Sequence, residues 1–284
     1  MANFKIGVII DSFRLGTDEG IRKAKEIGAD GIQIYAAKGK VSPENLNAAQ
    51  RRELLDKIKS EGLVVSALCG DLGGHGFMVK EDNAWRIEQS KRILELARDL
   101  DTNIVTTHIG VIPEDPEHPR YSVLQETCVE LAEFGEKLGA YFAIETGPET
   151  AVVLRRFIDS LGATGVRVNL DPANFVMVTG DDPVEAVKTL APFIVHTHAK
   201  DGIRLREQNP EITYGMIEDA IERGEAFREV PLGQGSVNFP AYLKALSDTG
   251  FNSFLTIERE VGDDPASDIR QAVNFLKEHI RKLS

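Results

Sequence analysis

Cysteine is nearly absent from the 284-residue chain: Cys69 and Cys128 are the only two, and Trp85 is the single tryptophan. Two thiols cannot build a disulfide framework, so a reducing compartment, the cytoplasm, is expected. No apolar run approaches the ~20 residues that span a bilayer. The leading MANFKIGVII lacks the hydrophobic stretch and cleavage site of a secretory leader. Blocks of lysine and arginine are missing too, and the formal net charge is -12, whereas a nucleic-acid groove carries a basic stripe. Neither a membrane nor a nucleic acid is therefore an expected partner. Six histidines are few for a multi-zinc nuclease centre. Finally, IIDSFRLG after the first apolar run has no GxGxxG, which removes the phosphate turn of a doubly wound dinucleotide fold.

What the chain does have is a rhythm. Short β-rich runs recur at KIGVII (5–10), GIQIY (31–35), LVVSAL (63–68), NIVTT (103–107), YFAIE (141–145), VRVNL (166–170), FIVHT (193–197) and FLTIE (254–258). Segments of helical spacing lie between them. In SVLQETCVELAEFGEKL, Leu124, Cys128, Leu131 and Phe134 return at steps of three or four and share one face. Gly28, Gly62, Gly139, Gly162 and Gly250 each stand between a helical segment and the next strand, as left-handed caps would. Strands alternating with helices imply parallel pairing and right-handed crossovers. Eight such units close into a (β/α)₈ TIM barrel, expected here as one domain over residues 1–284, and an apolar content of 42% suffices for its core. The period breaks once, between the seventh and eighth strands. There residues 201–237 read as an extended insertion over the barrel mouth.

Active sites of such barrels sit at the C-terminal strand ends. In order these are Asp11, Tyr35, Cys69, His108, Glu145, Asp171, His198 and Glu258. The last four carry the chemistry. A buried carboxylate is unfavourable unless paired or metal-bound, and three of them around one imidazole would repel without a cation. An oxygen-rich set with one nitrogen and no thiolate suits a single Mn²⁺, with Co²⁺ or Mg²⁺ as alternatives. Strand alternation then turns Ala143, Asn169, His196 and Thr256, each two residues earlier, toward the same interior. Three of these are polar, so Asn169, His196 and Thr256 are expected to orient the ligands from beneath. Taken singly each ligand has a plainer reading. Asp171 precedes Pro172 and could start a turn, Glu258 lies in the charged run IEREVGDD, and His196 reads as a hydrogen-bonded structural residue.

The motifs IETG, NLDPAN, HTHAKDG, PLGQGSVNF and LTIERE resemble those of xylose-isomerase-like TIM barrels, the sugar phosphate isomerase/epimerase superfamily, over essentially the whole chain. The resemblance implies one divalent metal on Glu145, Asp171, His198 and Glu258. From the ketose 3-epimerases of that family it implies Glu145 and Glu258 as the catalytic pair and Arg204, six past the metal histidine, as a substrate contact. Those epimerases carry a histidine three past the metal aspartate, where this chain has Asn174. HAKD is similar to the HxKD of relatives acting on inositol-derived ketones and keto-acid sugars.

The expected chemistry is proton transfer alpha to a carbonyl of a small sugar or sugar derivative, through a cis-enediolate. A ketose 3-epimerase-like isomerase is the leading reading, and a metal-dependent dehydratase of a ketose or inosose-like compound is the alternative. Lys200, beside the metal, could stabilise negative charge on substrate, and His108, Cys69 and Asn174 are further candidate contacts. GDLGGHGFM (70–78) is glycine-rich enough to move over a site, and its His75 could reach substrate. The PLGQGSVNF turn could hold a phosphate with backbone amides. Phe13 and Tyr35 could line pocket or core, and Trp85, within a helical segment, is expected in the core. Acidic barrels of this size commonly pair, so a homodimer or homotetramer is expected.

Overall fold

The computed structural model describes residues 3–218 and 224–283. Its strands are β1 (Lys5–Ile9), β2 (Gly31–Tyr35), β3 (Val64–Cys69), β4 (Ile104–Thr107), β5 (Tyr141–Glu145), β6 (Val166–Leu170), β7 (Ile194–Ala199), β8 (Asp201–Arg204), β9 (Phe227–Val230) and β10 (Phe254–Ile257). Eight of them close a barrel in the ring order β1-β10-β7-β6-β5-β4-β3-β2. Every neighbouring pair in the ring is parallel. The helices are α1 (Thr17–Glu26), α2 (Ala48–Ser60), α3 (Lys80–Asp99), α4 (Pro119–Leu138), α5 (Ala151–Ser160), α6 (Pro172–Asn174), α7 (Pro183–Leu190), α8 (Pro210–Thr213), α9 (Phe239–Asp248) and α10 (Pro265–Leu283). The fold is thus the TIM barrel that the eight-fold rhythm implies.

Local sequence sets the helix ends. Asn47 and Gln50 close a capping box at α2, while Thr150, Asp182 and Asn238 cap α5, α7 and α9 through their side chains. The five glycines between helices and strands all have positive φ. Gly139, at φ 67°, ends α4 in the left-handed conformation that a Cβ would disfavour. On α4, Leu124, Cys128 and Leu131 are fully buried, and Phe134 packs partly buried beside them. Trp85 corrects the sequence reading, being 57% exposed. Helix α3 buries Asn83, Arg86, Ile87, Ser90 and Leu94, a face that leaves position 85 pointing outward.

The insertion before the eighth barrel strand is a β8–β9 antiparallel hairpin, with Asp201 opposite Val230 and Arg204 opposite Phe227. Helix α8 stands on its connection, and residues 219–223 of the expected insertion lie outside the described residues. Inside the barrel the filling changes along the axis. Ala67, Ile104 and Ala143 form an apolar cluster with Tyr141 and Val195. The side chains of Gln33, Thr106, Asn169, His196 and Thr256 are also fully buried. Gly7 makes room for this polar group: a Cβ there would stand 2.5 Å from Thr256 Oγ1.

Candidate metal centre and the cavity above it

Glu145 ends β5, Asp171 follows β6, His198 lies in β7 and Glu258 follows β10. One side-chain donor atom from each lies within 4.8 Å of those of the other three, and all four residues are buried. His198 Nδ1 is 3.3 Å from Glu145 Oε1, 3.6 Å from Asp171 Oδ2 and 3.3 Å from Glu258 Oε2. Three carboxylates this close are stable only around positive charge. The Asp171 carboxylate tests whether a metal fits. Its Oδ1 accepts the N–H groups of Ala173 and Asn174, capping α6. Its Oδ2 is buried without a hydrogen-bond partner among the described residues and lies on the His198 side of the cluster. An oxygen left in that state is costly, and coordination of a divalent ion would satisfy it. The quartet therefore fits one metal ion, with hard oxygen donors and one imidazole.

The electrostatics agree. Burial alone would keep the His198 imidazole neutral, but the Glu145 and Glu258 carboxylates hold its pKa well above the ordinary value. Burial would likewise raise the Glu258 carboxyl, yet the Lys200 ammonium and His198 pull it below the usual range. The cluster holds a positive charge, as a proton or as a metal, and the two compete. Beneath it, Thr256 Oγ1 donates to His196 Nε2 (2.9 Å), and His196 Nδ1 donates to Asn169 Oδ1 (2.8 Å). Asn169 Nδ2 then donates to Glu145 Oε2 (3.4 Å). Burial and the neighbouring His198 hold the His196 pKa well below its usual value, as this donor-to-acceptor chain requires of a neutral ring.

A cavity of about 590 Å³ opens above the quartet. Glu145 and Glu258 reach it, along with Tyr35, Cys69, His108, Asn174 and Lys200. Asn174 Nδ2 donates to Glu145 Oε1 (3.3 Å), and Lys200 Nζ donates to Glu258 Oε2 (3.1 Å) and to Glu260. Arg204 stands elsewhere, on β8 outside this cavity wall, with its guanidinium against Gly180. Asp11 accepts the Tyr35 N–H. Phe13 is buried in the main core.

The family model for the xylose isomerase-like TIM barrel matches residues 21–279. The chain belongs to the xylose isomerase-like TIM-barrel family. An uncharacterised protein of Methanocaldococcus jannaschii is 26% identical over 84% of this chain and 76% of its own length. The rhizopine catabolism protein MocC of Rhizobium meliloti is 32% identical over 52% of this chain and 44% of its own length. A xylose isomerase domain protein from Planctomyces limnophilus superposes with a TM-score of 0.80 at 26% identity, covering 99% of this chain and 98% of that one. At 20% and 17% identity, a probable 3-DHS dehydratase from Bacillus anthracis and an L-ribulose 3-epimerase share the fold, with TM-scores of 0.74 and 0.75. Their alignments cover 96% and 99% of this chain and 99% and 95% of theirs.

In this xylose isomerase-like barrel several residues around the cavity carried no sequence signal. Asp71, in the glycine-rich loop after β3, bonds His108 Nδ1 at 3.2 Å. His108 Nε2 is buried without a hydrogen-bond partner among the described residues, 3.9 Å from Glu145 Oε1. Tyr214, at the end of α8, packs its ring 5.4 Å from that of His108, and an Arg120–Glu211 ion pair ties α8 to α4. Glu229 of β9 accepts from Arg259 (2.6 Å) and from the Glu260 N–H, anchoring the hairpin beside Glu258. His75 bonds Asp82 (2.9 Å) and does not line the cavity.

The PLGQGSVNF turn is also explained. Asp201 places its carboxylate inside the turn and accepts the N–H groups of Gly202, Gly233, Gly235 and Val237 at 2.9–3.1 Å. These are the amides a phosphate would have used, and an internal anion has taken them. Asp201→Ala would leave several buried amides unpaired. It is expected to lower stability by about 3 kcal/mol, read as a drop in the urea midpoint at unchanged m-value.

Proposed function

We propose that this chain, working as one barrel domain, is a divalent-metal-dependent sugar isomerase/epimerase, ketose 3-epimerase-like, that moves a proton at the carbon next to a carbonyl. The observation carrying this reading is the convergence of Glu145, Asp171, His198 and Glu258 on one point at the floor of an open cavity. A divalent ion there, Mn²⁺ being the best match to the donors, would act as a Lewis acid toward the substrate oxygens.

The chain's own groups supply the rest. Glu145 and Glu258 approach His198 Nδ1 from separate strands, each at 3.3 Å, and both reach the cavity. The pair enters the step as one carboxylate and one carboxylic acid: the carboxylate takes the proton from carbon, and the acid gives its proton to the opposite face of the resulting enediolate and leaves ionised. Lys200 keeps its ammonium in the site: burial opposes the charge, but Glu258 and Glu260 hold its pKa well above the ordinary value. It stands where negative charge develops on substrate oxygen. Asn169 and Asn174 fix the Glu145 carboxylate by amide donation. Positioned acid/base groups give about 10²–10⁴-fold, and enzymes typically reach ~10⁶-fold or more. Electrostatic stabilisation of the enediolate by the cationic groups accounts for much of the difference. The epimerase and isomerase neighbours support a small polyhydroxylated ketone or aldehyde as substrate. With its amides bonded to Asp201, the PLGQGSVNF turn offers no phosphate seat.

One observation favours a second reading, a dehydratase. The His108–Asp71 pair adds a third acid/base group, its free Nε2 buried at the cavity wall. Expelling a β-hydroxyl as water needs such a donor, and one fold neighbour is a probable dehydratase. The test is incubation of Mn²⁺-loaded protein in D₂O with ketoses, inosose-like ketones and their phosphates, followed by NMR and mass spectrometry. Deuterium on the carbon beside a carbonyl at unchanged formula is the expected result. Loss of water selects the dehydratase. No exchange across the panel with metal bound overturns both.

A further inference from the structure

The metal ligand His198 is gripped from the far side of the barrel. Gln33, in β2, sits fully buried, with Oε1 3.2 Å from His198 Nε2 and Nε2 3.0 Å from Thr106 Oγ1. Thr106 in turn donates its hydroxyl to the Leu68 carbonyl at 3.5 Å. That last bond fixes every other polarity. A hydroxyl whose hydrogen is committed to a carbonyl must accept from its other neighbour, so the Gln33 amide turns its NH₂ to Thr106 and its oxygen to His198. The His198 ring then carries a hydrogen on Nε2, which leaves Nδ1, facing Glu145, Asp171 and Glu258, as the nitrogen that takes either the proton or the metal. Asn169 Nδ2 also lies 3.2 Å from His198 Nε2. It lies 3.5 Å from Nδ1 as well, over the ring rather than in line with either nitrogen, so that approach is a contact, and Asn169 donates one of its two amide hydrogens to Glu145 Oε2.

We infer that Gln33, held by Thr106, is the positioning residue that fixes the tautomer and ring orientation of His198 for metal binding. The inference rests on the metal centre proposed above. Its physical basis is general: the hydrogen bond on a ligating imidazole's second nitrogen decides which nitrogen is free, and its loss typically weakens metal binding about 10–100-fold. Two features suit Gln33 to the role. It is neutral, so it adds no further charge to a cluster already holding three carboxylates. It also comes from a strand three barrel positions away from β7 in the ring, so it braces the imidazole across the interior rather than along its own strand.

Isothermal titration of metal-free protein with Mn²⁺, without substrate, tests this directly. Gln33→Leu keeps the volume and removes both polar contacts, and its Mn²⁺ affinity is expected to fall about 10–100-fold. Gln33→Glu restores an acceptor for His198 Nε2 and is expected to recover most of that loss. Thr106→Val leaves the amide free to turn over and should lie between wild type and Gln33→Leu. With Co²⁺ as the probe, the visible ligand-field bands should shift in Gln33→Leu and return toward wild type in Gln33→Glu. Unfolding of the metal-free variants, followed by circular dichroism, shows that each is folded before titration. A folded Gln33→Leu that binds Mn²⁺ as tightly as wild type overturns the inference, as does equal loss in Gln33→Leu and Gln33→Glu. Wild-type protein that binds no divalent ion would instead overturn the metal centre itself, a separate outcome visible in the first titration.

Discussion

Turnover by Glu145→Gln and by Glu258→Gln is expected to fall at least 10³-fold each, at metal concentrations that saturate the wild type. Two losses combine in either variant. The amide cannot accept the substrate proton, which removes a contribution of about 10²–10⁴-fold. It also replaces an anionic donor to the metal with a neutral one. The effects separate when Mn²⁺ affinity is measured alongside turnover, because only the second is recovered by adding metal. At Glu258 a further change follows: the buried Lys200 ammonium keeps Glu260 but loses its 3.1 Å partner. Asp171→Asn is the natural control, since Asp171 caps α6 and faces the metal position without belonging to the proton-transfer pair. If either glutamine variant turns over at the wild-type rate, the two-carboxylate mechanism is wrong.

The second large effect concerns stability rather than rate. Glu149, four residues after Glu145, is buried, with Oε1 unpartnered among the described residues and Oε2 3.5 Å from the Ile112 N–H. Burial pushes its carboxyl up to about 8, against small opposing effects from the Ile112 amide and His108. The unfolded chain loses this proton near pH 4.5, whereas the folded chain keeps it to about pH 8. Between those values the folded state binds more protons, so stability falls as pH rises and levels off above about 8. The fall from this one group corresponds to about 4–5 kcal/mol. Glu149→Gln cannot ionise, and its stability relative to wild type should rise by that amount between pH 4.5 and pH 8.5. His108 adds a fall in the same direction: burial opposes its charge, but Glu145 and Asp71 lift its pKa to about 9. For that reason the quantity to measure is the difference between the two proteins, by urea unfolding at both pH values. Parallel stability curves would mean that Glu149 is ionised in the folded state.

Much of this molecule was legible in its sequence, for physical reasons. Parallel strands buried on both faces must be apolar and short, so the eight runs stood out, and the glycines at positive φ marked where helices ended. The four residues of the candidate quartet stood out because a titratable group at the end of an apolar strand contradicts its surroundings, and the structure brings the four together. Gln33 was less visible, although the same rule finds it: it lies two residues before Tyr35, and Thr106 lies two before His108, as Asn169 lies two before Asp171. A lone glutamine in GIQIY carries no charge to betray it, and its partner His198 is 165 residues away. Trp85 was misread because the helical spacing of α3 alone does not say which stripe is the core, and there the buried stripe includes Asn83 and Arg86. HAKD brought Asp201 into view but not its role, which is to satisfy backbone amides more than thirty residues later in the chain.

The hairpin bears on how such a protein can change over time. The candidate metal quartet and most of the groups hydrogen-bonded to it come from strands and strand ends of the closed barrel, with Asn174 added from α6. Much of the outer wall of the cavity, including Thr213, Tyr214, Phe227 and Arg228, comes from the excursion between Asp201 and Val230. That excursion is fastened at its base by Asp201 and Glu229 and tied at its far end through Arg120 and Glu211. The candidate quartet and much of the wall that faces it therefore lie in separate stretches of the chain. On the proposed function, changes between the two base fastenings would alter which molecule the cavity admits without touching Glu145, Asp171, His198 or Glu258.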